Sequence, residues 1–113
     1  MSTHIVTSHG SDFFGEDRFT VKQLRELGQH VRGVLPYDDS PPLTKVLDEA
    51  GEGEREFDAD QAVLLAVLLR RAAAHRALKK KHADVASLLG QSAARAAGDN
   101  EPWTWTPHNE GER

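Results

Sequence analysis

The stretch "SHGSDFFGED" (residues 8–17) crowds His9, Asp12, Glu16 and Asp17 around two glycines and two phenylalanines. An imidazole beside carboxylates can ligate a divalent metal or pass protons in general acid–base catalysis. One histidine with loosely spaced acids is a thin ligand set, however. The same residues also build a plain turn, in which glycine and aspartate supply the backbone conformations and Phe13 and Phe14 anchor it. The other histidines, His4, His30, His75, His82 and His108, show no HxH or HExxH spacing. No serine lies in a nucleophile elbow, no glycine pattern fits a phosphate loop, and cysteine is absent. A metal-dependent or hydrolytic site in loop 8–17 is therefore the third of three functional readings, and no metal or cofactor is expected.

A second chemistry lies in the basic segment 70–82. Arg70, Arg71, Arg76, Lys79, Lys80 and Lys81 follow one another with no acid between Gln61 and Asp84. Such a run can meet phosphate, although cations closing a helix that opens with Asp58 and Asp60 also complement its dipole. The adjoining stretch 84–98, "DVASLLGQSAARAAG", looks like a helix-turn-helix with Ala86 as the small residue and Gly90 in the turn. After Gly90 only Arg95 could read DNA. Nucleic-acid binding is thus the runner-up.

These residues must be positioned by helices. Thr20 and Gln23 have capping-box spacing, with Phe19 and Leu24 at the staple positions. Val21, Leu24, Leu27, Val31 and Val34 then form one stripe, up to a stop at Pro36. Gly28, beside that stripe, predicts a backbone passing close by. Ser40 and Pro41 open a short second helix with Leu43, Val46, Leu47 and Ala50 inward, ended by Gly51 and Gly53. The acidic "EGEREFDAD" reads as a connector. Phe57, Asp58 and Gln61 repeat the first helix's capping pattern and open the most apolar segment. There Val63, Leu64, Leu65, Val67, Leu68 and Leu69 cover about 240° of the circumference at 100° per residue. An ordinary surface helix needs little more than a 100° stripe, so this helix is either the hub of the fold or shared with a partner. A second copy of the chain is a natural candidate, with Leu65 and Leu69 in contact. A fourth helix, about 80–97, presents Ala83, Ala86, Leu89, Ala93 and Ala96 for close packing and ends at Gly98.

The segment "EPWTWTP" holds both tryptophans. Only extended structure puts Trp103 and Trp105 on one face, and the flanking prolines forbid a long helix. "THIVTS" near the start is the other extended segment. Pairing of the two ends would clasp the indoles over the helices beside Phe13 and Phe14. The alternative is an exposed aromatic motif for a partner.

The chain of 113 residues is one domain's worth, large enough for a core without disulfides. Its net charge of −4 divides into 13 acids and 6 bases over residues 1–60 (−7) and 5 acids and 8 bases over 61–113 (+3). The simplest use of that asymmetry is two halves facing each other. No leader peptide or membrane span is evident, which with the missing cysteines points to a cytoplasmic protein.

"SHGSDFFGED", the helical middle and "PWTW" together resemble small uncharacterised proteins of high-GC actinobacteria and their phages. The resemblance implies a single helical domain with no assigned activity. The expected fold is mainly α, about four helices around the apolar one, with a short β pairing of the terminal segments. Residues 1–107 form the domain and 108–113 a disordered tail. The expected function is a non-enzymatic protein-interaction or regulatory domain, working through Trp103, Trp105, Leu65 and Leu69.

Overall fold

The computed structural model describes residues 3–11 and 14–109. Its elements run β1 (Thr3–Ser8), β2 (Glu16–Thr20), α1 (Val21–Val31), α2 (Pro41–Asp48), β3 (Arg55–Phe57), α3 (Ala59–Ala74), α4 (Lys80–Gly98) and β4 (Trp103–Asn109). The four strands form one antiparallel sheet in the order β2-β1-β4-β3. The architecture is therefore mixed, helices with a sheet, and not mainly α. The terminal pairing exists, with Thr3 opposite Asn109 and Thr7 opposite Trp105, but it forms the centre of a larger sheet. His108 and Asn109, expected in a tail, belong to β4.

The two added strands have local causes. In β2 the alternation buries Asp17 and Phe19 and leaves Arg18 outward. Its charged residues suit an edge, where they discourage pairing with other chains. β3, expected as a connector, is three residues of the acidic run that pair with β4 and turn Phe57 inward.

The helix signals hold closely. Thr20–Gln23 and Asp58–Gln61 both form reciprocal capping boxes. Ser40 precedes α2 without a side-chain capping bond, so Pro41 contributes the start there. Gly28 does meet a close neighbour, but side chains more than backbone. A Cβ at Gly28 would lie 3.1 Å from both Leu47 Cβ and Asp48 Oδ1 of α2. Arg32 ion-pairs with Asp48 across the same junction, which holds its guanidinium pKa above the ordinary value.

α4 is one unbroken helix through Gly98, which overturns the helix-turn-helix expected at 84–98. Gly90 is no turn: it sits where α3 crosses, and a Cβ there would come 3.3 Å from Leu69 Cβ. The helix stops at a Schellman motif, with Asn100 left-handed (φ 55°) and the Glu101 N–H donating to the Ala96 carbonyl at 2.9 Å. Ile5, Phe19, Phe57, Trp103 and Trp105 from the sheet join Leu24, Leu27, Leu47, Leu69 and Leu89 from the helices in one core.

Candidate functional site

His9 lies where the end of β1, the end of α4 and the start of β4 meet. Its φ of 59° is left-handed, a conformation costing a residue with Cβ about 1–2 kcal/mol. The surroundings hold it there. His9 Nε2 lies 2.8 Å from Glu101 Oε1 and 4.0 Å from Asp99 Oδ2. Nδ1 lies 2.9 Å from Ser8 Oγ, and Arg95 donates to the His9 carbonyl at 3.0 Å. Because a carboxylate only accepts, the contact with Glu101 puts a proton on Nε2. In the neutral ring Nδ1 then accepts from the Ser8 hydroxyl, which itself accepts from the Thr104 N–H at 3.0 Å.

The ligand atoms of His9, Asp99 and Glu101 lie within 4.8 Å of one another, a spacing that could take a divalent cation. The order Ser8–His9–Glu101 is also that of a nucleophilic relay. Both arrangements already serve as a brace between segments more than ninety positions apart in sequence. Among the described residues, the acids grouped with His9 are Asp99 and Glu101 rather than those of loop 8–17. Asp17 is buried on the inner face of β2, where its Oδ1 accepts from the Ser11 N–H and hydroxyl at 3.1 and 2.9 Å. Glu16 stands on β2. Asp12 and Phe13 lie outside the described residues, and Phe14 is 77% exposed. The acids that do face His9 come from the helix-ending "GDNEP", brought round by the left-handed Asn100 between Asp99 and Glu101.

Trp103 and Trp105 are buried and stand edge to face at 5.5 Å, each 5.6 Å from the Phe57 ring. They are a clasp, and the exposed-motif expectation fails because the inner face of β4 is covered by helices. Leu65 and Leu69 are likewise buried in their own molecule. The unsatisfied face of α3 is instead Val63, Leu64 and Val67, exposed by 51%, 48% and 49%. A cavity of about 210 Å³ opens beside Leu64, walled by Pro42, Val46, Phe57 and Leu65 with Arg55 and Gln61 at its polar side.

The basic residues scatter around the α3–α4 connection. Arg71 pairs with Asp39 at 3.2 Å and Lys80 with Asp84 at 3.3 Å. Arg70, Arg76, Lys79 and Lys81 are exposed, and Arg95 stands apart at the His9 brace.

Sequence reasoning missed the stacking of His30 on His82, 4.0 Å between ring centres, where α1 meets α4. His30 Nδ1 donates to the Glu26 carbonyl at 2.8 Å. Burial first, then His30 and Lys81, lower the His82 pKa below its ordinary value, with Glu26 opposing. His82 falls on the same stripe as Ala86, Leu89 and Ala93, which is the signal that marks it as a core position.

No helix among the described residues is long and apolar enough to cross a membrane. No curated protein and no solved structure matches the chain significantly. A family profile matches residues 10–106, from the Gly10 turn to the middle of β4, and on that match the chain belongs to the family described as a domain of unknown function (DUF7739).

Proposed function

We propose that the chain is a non-enzymatic protein-interaction domain that docks a protein partner on the outward face of α3. The reading rests on one observation: Val63, Leu64 and Val67, adjacent on one helix, stay about half exposed beside a cavity while the other large aliphatics of the helix, Leu65, Leu68 and Leu69, are buried. Single exposed aliphatics are ordinary, but a contiguous patch next to a recess suits an apolar side chain from another protein. Trp103 and Trp105, packed on Phe57, back the wall of that cavity.

The test is affinity capture from a high-GC actinobacterial lysate, the source that the resemblance implies, with wild type beside Val67→Glu. A specific protein retained by wild type and lost with Val67→Glu, at unchanged melting temperature, supports the reading. Identical captured proteins from both overturn it. A second reading, nucleic-acid binding, has in its favour that Arg76, Lys79 and Lys81 are each exposed and without ion pairs among the described residues. A mobility shift with mixed-sequence duplex at low salt, abolished by Lys79→Glu with Lys81→Glu, would favour it.

A further inference from the structure

Charge along α3 says what kind of surface its apolar patch fits. Taking Val63 as zero and about 100° per residue, the outward arc holds Arg70 near 340°, Val67 near 40°, Asp60 near 60°, Arg71 near 80° and Leu64 near 100°. The buried Leu65, Leu68, Leu69 and Ala72 occupy the opposite side. An acid therefore stands at the start of the exposed face, aliphatics at its middle and arginines at its end.

Neither Asp60 nor Arg70 has an ion-pair partner among the described residues, whereas Arg71 already holds Asp39. Asp60 and Arg70 are equally far in sequence from Leu65, and so are Val63 and Val67. Such a face is its own complement when a second helix is laid across it in the opposite direction. Asp60 then meets Arg70 of the copy, Val63 meets Val67, and the recess beside Leu64 is covered. A parallel copy would set acid on acid and arginine on arginine.

We infer that the partner seated on α3 is a second copy of this chain, paired antiparallel through Val63, Leu64 and Val67 about a two-fold axis that crosses the outward face at the level of residue 65, with two Asp60–Arg70 ion pairs closing the rim. This inference rests on the interaction reading of the same face. Isologous two-fold contacts are the commonest way a single patch satisfies itself. An interface of one helix face with two rim ion pairs belongs to the small, reversible class, so the dimer is concentration-dependent.

Sedimentation equilibrium of the full chain, from about 10 µM to 1 mM, tests it. The expected result is a monomer–dimer equilibrium that Val67→Glu abolishes at unchanged melting temperature. Asp60→Arg and Arg70→Asp each weaken association about tenfold or more, and the double variant restores it, because the antiparallel copy re-forms both pairs with signs exchanged. Should a single charge variant fail to fold, mixing isotope-labelled Asp60→Lys with unlabelled Arg70→Glu supplies the same comparison through heterodimer formation. A monomer at 1 mM overturns self-pairing while leaving the capture experiment to decide the interaction reading. A dimer indifferent to Val67→Glu, or not restored by the charge exchange, overturns the α3 geometry.

Discussion

At His9 the backbone is held against its preference, and the side chain explains why. Replacing it by alanine keeps the left-handed φ while removing the contacts to Ser8 and Glu101, so His9→Ala should cost about 2 kcal/mol. Asparagine tolerates that conformation better, and His9→Asn should lose less. Urea denaturation orders the two, and His9→Ala as stable as wild type would mean that the brace contributes nothing. Gly10 beside it has a stricter reason for its identity. A Cβ there would collide with the Glu16 carbonyl carbon and the Asp17 backbone nitrogen, which no rotamer relieves, so Gly10→Ala should cost about 3 kcal/mol or disrupt the β1–β2 turn. The residue types of loop 8–17 thus disclosed a special turn, but not what His9 touches. Its acids lie beyond α4, and only the left-handed Asn100, which no spacing rule marks, brings them round.

Among the elements, helices were legible because their signals are local: reciprocal caps at Thr20 and Asp58, and stripes that closed on the core. The strands β2 and β3 were not, since charged, short edge segments have little propensity of their own and exist because a neighbour pairs with them. The six aliphatics of α3 were legible as apolar but not as divided, three inward and three out, because the sequence does not reveal how many elements flank a helix. In β4 the indole N–H groups of Trp103 and Trp105 are buried with no hydrogen-bond partner among the described residues. Trp103→Ala should cost about 3–5 kcal/mol. Trp105→Phe should cost under about 2 kcal/mol, because losing an unpaired buried donor offsets part of the lost contact. Chemical denaturation measures both. At the α1–α4 junction His82 titrates below its ordinary value when folded, so the unfolded chain binds its proton more readily. Stability from this residue is therefore complete above the unfolded pKa of about 6.5 and declines as pH falls from there toward the lower folded value. Lys79, Lys81 and His30 sharpen the loss and Glu26 blunts it. Melting temperature should fall less between about pH 7.5 and 5.5 in His82→Gln than in wild type; parallel profiles would remove His82 from the account.

On the scale of the molecule, the opposite charges of the two halves do little to join them. Among the described residues only Arg71–Asp39 pairs a base of the second half with an acid of the first. Arg32–Asp48 and Arg55–Glu49 lie within the acidic half. What joins the halves is topology, since β4 enters the sheet between β1 and β3. Removing residues from Glu101 onward would strip both tryptophans and orphan β3, so no folded fragment should survive. The same topology makes a constructive prediction. Thr3 pairs with Asn109, so a peptide bond joining Arg113 to Met1 closes the circle across neighbouring strands. New ends opened in the exposed turn between Gly51 and Gly53 interrupt no helix or strand. That permutant should fold, with wild-type tryptophan fluorescence and a melting temperature lowered by no more than about 10 °C, since one connection is exchanged for another of similar length. Ends opened instead at Asp99–Asn100 would sever the Schellman turn and the His9 brace together, and that permutant should be much the less stable. If the two permutants melt alike, the corner around His9 does not hold the sheet to the helices.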